Sequence, residues 1–136
     1  MPRRSPSPRY KVLLVDDDSA KLRSLAAALE FDFDVVTCPS GELALTLLRE
    51  QEFHAVCSDD GMSGMKLLDH VASLHIPVAC LLLTGSRAFI DRRRTDDQYV
   101  LMKPASPARL SALLAQISQA TALKRNAARL AAVEKR

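Results

Sequence analysis

The chain has 136 residues, 48% of them apolar and only 4% aromatic, with a formal net charge of +3. That length suits one domain with an aliphatic core. Its longest clear apolar run, Val78 to Leu83, is far below the roughly 18 residues that a membrane helix needs. The charge is unevenly placed. Residues 1–11 carry four basic groups and no acid, residues 124–136 carry five basic groups and one acid, and residues 12–123 hold ten basic against fifteen acidic groups. The basic ends lack interleaved aromatics and any recognisable DNA-binding motif, so they do not argue for nucleic acid. Cys38, Cys57 and Cys80 are odd in number and lie in or near apolar runs, which points to reduced, buried thiols and a cytoplasmic protein.

Residues 1–10 are basic and proline-rich without an apolar segment behind them. They read as a disordered tail, not a secretory signal. Lys11 to Val15 is the first expected strand. Four apolar residues, Val12 to Val15, run straight into Asp16, Asp17 and Asp18, which suits a strand buried on both faces that ends in acids. Such acids, crowded at the carboxyl edge of an α/β sheet, suit a hard divalent cation such as Mg²⁺. They equally suit a solvated acidic turn in which Asp18 or Ser19 caps the next helix.

That helix is expected from Ser19 to Glu30, with Leu22, Leu25, Ala26 and Leu29 on its buried face. Asp34 to Cys38 reads as a short second strand. A second helix runs from the cap Ser40 to about Gln51, with Leu43, Leu47 and Leu48 turned inward. His54 to Ser58 is the third strand, ending at Asp59, Asp60 and Gly61, and Gly64 to Ser73 the third helix. Pro77 to Leu83 is the fourth strand, ending at Thr84. Ile90 to Asp97 is charged and poorly patterned, so any helix there is short. Tyr99 to Met102 is the fifth strand, ending at Lys103 and Pro104. A last helix starts near Pro107 behind Ser106. Strands alternating with helices predict a parallel sheet with helices on both faces.

Right-handed crossovers bring the strand ends to one edge. Asp16, Asp17, Asp59, Thr84 and Lys103 then meet. Carboxylates there can hold Mg²⁺, one carboxylate can act as nucleophile towards phosphorus, and a lysine and a hydroxyl can bind phosphoryl oxygens.

In these motifs, Val12 to Asp18, the strand end at Asp59, Leu82 to Gly85 and Leu101 to Pro104, the sequence resembles the receiver domain of two-component response regulators. The resemblance covers residues 11–119. It implies a flavodoxin-like, doubly wound five-stranded sheet of order 2-1-3-4-5. It also implies a switch phosphorylated by a histidine kinase or phosphotransfer protein, without turnover on an external substrate. Asp59 would be the phosphoacceptor. Asp17 and Asp59 would ligate Mg²⁺ directly, Asp16 largely through water, and the backbone carbonyl of Gly61 would complete the set. Lys103 and Thr84 would bind the phosphoryl group.

The chain departs from the family in three places. The loop after Asp59 is short and proline-free, and Asp60 sets a second carboxylate beside the acceptor, which makes Asp60 the alternative acceptor if the strand register slips by one. The segment after Thr84 carries Arg92, Arg93 and Arg94, a solvated surface or a docking patch for an acidic partner. The aromatic expected three residues before the lysine is replaced by Val100, with Tyr99 one place away. Beyond Leu110, Leu113, Leu114 and Ile117, the last helix keeps a three-four spacing through Ala120, Leu123, Ala127 and Leu130. Residues 120–136 therefore read as a dimerisation stem, a connector or a frayed tail.

Two other readings compete. One is a pseudo-receiver that binds proteins without being phosphorylated. The other is a haloacid-dehalogenase-like phosphatase built on Asp16 and Asp18. That fold needs metal-binding acids after the lysine, and Glu134 is the only acid after Lys103.

Overall fold

The computed structural model describes residues 9–60, 64–87 and 97–134. Among the described residues, five strands and four helices follow in the order β1 (Tyr10–Val15), α1 (Ser19–Leu29), β2 (Phe33–Cys38), α2 (Gly41–Glu50), β3 (Ala55–Asp59), α3 (Gly64–Ser73), β4 (Ala79–Thr84), β5 (Gln98–Met102) and α4 (Pro107–Glu134). The strands form one sheet in the order β2-β1-β3-β4-β5, and every pairing is parallel. This is the doubly wound architecture that the alternation predicts.

Alternation along each strand divides the core in two. Val12 and Leu14 of β1, Cys57 of β3 and Leu81 of β4 point to one face, where Leu22 and Leu29 of α1 and Leu110, Leu114 and Ile117 of α4 cover them. Leu13, Val15, Val56, Cys80 and Leu82 point to the other face, under Ala44 and Leu48 of α2 and Leu67, Leu68 and Val71 of α3. Each fully buried leucine contributes on the order of 2 kcal/mol by leaving water. The expected inward face of α2 needs one correction. Leu43 is 51% exposed and Ala44 is buried instead, in line with buried Leu48 at the i, i+4 spacing of one helix face; Ser40 caps the helix start by accepting from the Leu43 N–H.

Caps set the helix starts elsewhere too. Asp18 accepts from the N–H groups of Ala20 and Lys21 at 3.0 and 3.2 Å, and Ser106 accepts from the Arg109 N–H at 3.1 Å. These side chains satisfy donors that the first turn leaves without intrahelical partners. The three cysteines are buried free thiols. Burial pushes the thiols of Cys57 and Cys80 up to about 12. At Cys57 the charges of Asp59 and Asp16 add to that effect.

The sheet's amino edge, opposite the site, is tied to α4. Arg125 donates to the Phe53 carbonyl and, at 2.8 Å, to the Pro77 carbonyl. Beside it, Lys124 pairs with Asp97. His54 accepts at Nδ1 from the Lys11 N–H at 3.0 Å and meets Tyr10 edge-on. Burial, and then the Arg125 charge, lowers its pKa below the usual 6.5. The first strand starts at Tyr10, one residue before the expected position. Arg9 just ahead of it donates to the carbonyls of Glu30, Phe31 and Phe33 where α1 ends. The last helix is continuous to Glu134, but Leu123 and Leu130 on its expected seam are 61% and 66% exposed. No described helix is long and apolar enough to cross a membrane.

Candidate functional site

Strand register brings the polar ends together. Val15 lies beside both Cys38 and Ser58, Asp59 beside Leu83, and Thr84 beside Met102. The chain then leaves each strand at the same edge, which puts Asp16, Asp59, Thr84 and Lys103 within reach of one another. Two backbone bonds continue the pairing past the strands: the Asp16 N–H donates to the Cys38 carbonyl at 3.1 Å, and the Lys103 N–H to the Thr84 carbonyl at 2.8 Å. The Lys103–Pro104 peptide is cis.

Lys103 and Asp59 form the centre of the site. The Lys103 ammonium donates to both Asp59 carboxylate oxygens at 2.8 Å. The Asp59 side chain is 12% exposed and that of Lys103 35%. Burial alone would lower the lysine's pKa, but the hydrogen bond and charge of Asp59, joined by Asp60, outweigh it and raise it. Asp60 approaches the same ammonium at 3.6 Å. The buried Thr84 hydroxyl donates to Asp60 Oδ2 and accepts from the Ser86 N–H at 3.0 Å.

The three leading acids part company. Asp18 is the cap of α1, so the capping reading holds for that residue. Asp17 is exposed. Asp16 lies in the site, where its Oδ1 accepts from the Asp18 N–H at 2.9 Å. Its carboxyl is raised above the usual value, first by burial and then by the negative charge of Asp59, against the Asp18 bond that lowers it. Among the described residues, no three or more His, Cys, Asp or Glu side chains converge on a point that could hold a metal ion. Asp59 is held by Lys103, and Asp16 lies between it and exposed Asp17, feeling the charge of the first and the side chain of the second.

Sequence reasoning missed one member. Lys21, in the first turn of α1, reaches Asp59 Oδ2 at 3.8 Å. The signal was available, since a lysine in the turn that follows an acid-ended strand faces the edge where that strand stops. Lys21, Asp16, Asp59 and Lys103 line a groove of about 580 Å³ between α1 and the start of α4, floored by Leu25, Leu83 and Leu110. Tyr99 is half-buried in the core under α4. Val100, its neighbour in β5, points to the opposite face because strand side chains alternate. Gly61, Arg92, Arg93 and Arg94 lie outside the described residues, as does the short helix expected at 90–97 except for Asp97.

An acid-and-lysine cluster at the carboxyl edge of a 2-1-3-4-5 sheet defines a class, and comparison with known proteins identifies it. A family model described as the response regulator receiver domain matches residues 12–115. The chain belongs to that family and is a receiver domain of two-component signalling. Among its relatives, the heme response regulator HssR of Staphylococcus aureus (strain bovine RF122 / ET3-1) is 39% identical over 95 residues, which is 62% of this chain and 42% of HssR. The chain thus spans about two fifths of the length of the curated relatives it matches. A response regulator receiver domain protein from Clostridium thermocellum superposes with a TM-score of 0.73 at 25% identity, over 84% of this chain and 98% of that one. A structure described as an adenylate cyclase from Rhodopirellula baltica superposes with a TM-score of 0.79 at 25% identity, over 90% and 97%.

Proposed function

We propose that the chain is a phosphoacceptor switch, with Asp59 taking a phosphoryl group from a histidine kinase or phosphotransfer protein. The observation that carries this reading is the Lys103 ammonium held 2.8 Å from both oxygens of Asp59. In the transfer, an Asp59 carboxylate oxygen forms a bond to phosphorus while the phosphorus–nitrogen bond of the donor phosphohistidine breaks, and the electron pair stays on the imidazole. Lys103 neutralises phosphoryl oxygens once Asp59 carries the acyl phosphate, and the Thr84 hydroxyl supplies a hydrogen bond to them. Lys21 adds a second positive charge on the groove side.

Mg²⁺ fits the donor chemistry here. Asp16 and Asp59 offer hard oxygens, and the Asp59 charge raises the cost of ionising Asp16, which a divalent cation relieves. Asp16, Asp17, Asp59 and the Gly61 carbonyl would hold it. When bound, it supplies charge neutralisation to the incoming phosphoryl oxygens. The domain acts once per phosphoryl group and does not turn over an external substrate. It works in the cytoplasm, with residues 120–136 serving as a dimerisation stem or a connector to a further domain.

Intact mass after incubation with acetyl phosphate and Mg²⁺ tests this. A gain of about 80 Da, one phosphoryl group, is expected in the wild type and in Asp60→Asn but not in Asp59→Asn. Loss only in Asp60→Asn would move the acceptor by one residue. No adduct, and no saturable beryllofluoride binding, would make the chain a protein-interaction module of the same fold.

A further inference from the structure

The phosphoryl site contains a carboxylate that the proposed transfer does not use. Asp60 follows the acceptor, and its two oxygens take the two groups that a phosphoryl group on Asp59 would need. Oδ2 accepts from the Thr84 hydroxyl, and Oδ1 lies 3.6 Å from the Lys103 ammonium. A hydroxyl has one proton to donate. The Thr84 proton is committed to Asp60, while the oxygen accepts from the Ser86 N–H at 3.0 Å. Thr84 is fully buried, so water offers it no second partner. It can donate to a phosphoryl oxygen only by releasing Asp60.

From this we infer that Asp60 is a positioning residue: it competes with the phosphoryl group for Thr84 and sets how strongly phosphorylation at Asp59 is read out. The inference rests on Asp59 being the acceptor. Before transfer, Asp60 holds the hydroxyl and draws part of the Lys103 charge away from Asp59. After transfer, the phosphoryl oxygens must outbid a carboxylate already in place. The switch therefore responds less steeply than one whose threonine is free to move, and Asp60 is the residue that determines the difference.

Two substitutions separate charge from hydrogen bonding. Asp60→Asn removes the negative charge but keeps an oxygen that can accept from Thr84, whereas Asp60→Ala removes both. The measurement is the apparent Kd for beryllofluoride with saturating Mg²⁺, by titration calorimetry on the full chain. The proteins compared are the wild type, the two Asp60 variants, Thr84→Ala, the two corresponding double variants, and Asp59→Asn as the negative control.

Asp60→Asn is expected to tighten binding about twofold and Asp60→Ala roughly five- to tenfold, the range that one hydrogen bond spans. The difference between the two is expected to vanish in the Thr84→Ala background, a coupling that a merely structural role for Asp60 would not produce. Binding seen in Asp60→Ala but not in the wild type would be the same result in stronger form. Equal gains in Asn and Ala, no gain in either, or a difference that survives in Thr84→Ala would overturn the inference and leave Asp59 as acceptor. Absence of binding in every variant, with far-ultraviolet circular dichroism showing them folded, would overturn the acceptor reading and this inference with it.

Discussion

Each edge of the sheet is closed by one long cationic side chain on oxygen, and the two are held differently. At the carboxyl edge Lys103 sits on the carboxylate of Asp59, with Asp60 and Lys21 nearby. At the amino edge Arg125 sits on two backbone carbonyls, those of Phe53 and Pro77. A carboxylate can be esterified, protonated or given to a metal, and its ammonium partner can follow. A backbone carbonyl can do none of these, and a guanidinium fits a pair of acceptors with its fixed fork. One cation is part of a site that must change partners, and the other is a fastening.

Exchanging each cation for methionine would break that contrast if it is wrong. Arg125→Met keeps an apolar stem but loses the hydrogen bonds that this charged donor makes to the Phe53 and Pro77 carbonyls, so urea melts should show a loss of about 2 kcal/mol. Its phosphorylation by acetyl phosphate should stay unchanged. Lys103→Met should stay within about 1 kcal/mol of the wild type, since part-exposed ion pairs contribute little, while its phosphoryl adduct falls sharply. Equal stability losses would mean that both cations are structural.

Asp16 sharpens the same comparison from the acidic side. Its folded pKa is raised above 3.8 by burial and by Asp59, so its ionised form is disfavoured in the fold. Stability conferred by the protonated form is present below the unfolded pKa and declines as pH rises through the folded one. Asp16→Asn should therefore raise the Tm at pH 7 in the presence of a chelator. That gain should disappear near pH 3, whereas at pH 7 added Mg²⁺ should stabilise the wild type more than the variant. A Tm at pH 7 below that of the wild type would contradict this.

The smallest effect belongs to His54, at the Arg125 edge. Its folded pKa lies below 6.5, so the unfolded chain binds the proton first and stability falls as pH drops below about 6.5. Replacing it, as His54→Gln, should flatten the wild-type slope of unfolding midpoint between pH 7 and pH 5.5. Parallel slopes would show that burial does not hold the ring neutral.

Much of the site was legible because it is written at strand ends. An apolar run followed by an acid, a threonine or a lysine fixes both the direction of a buried strand and the edge where it stops, and parallel pairing does the rest. The contacts that needed the structure join distant segments through side-chain length. Arg125 reaches carbonyls 72 and 48 residues away, and no local pattern distinguishes that arginine from a solvated one. Lys21 reads equally well as the exposed side of an amphipathic helix. Asp60 was legible as an oddity beside Asp59, but that it holds Thr84 follows from how β3 and β4 align. Leu43 and Ala44 are adjacent on the helix and the apolar count favours the larger residue, yet Ala44 is the one in line with buried Leu48.

α4 also has a mechanical consequence. It is one uninterrupted helix that begins at Pro107, four residues after Lys103, lies on the sheet through Leu110, Leu114 and Ile117, and is tied at Arg125 to the opposite edge. From Pro107 to Arg125 is about 27 Å of helix at 1.5 Å per residue. A helix of that length moves as a rod, so a displacement passed through the three residues after Lys103 would be felt at the Arg125 fastening as well. One element thus runs from beside the phosphoryl site to the other end of the domain, and it continues past that fastening to Glu134.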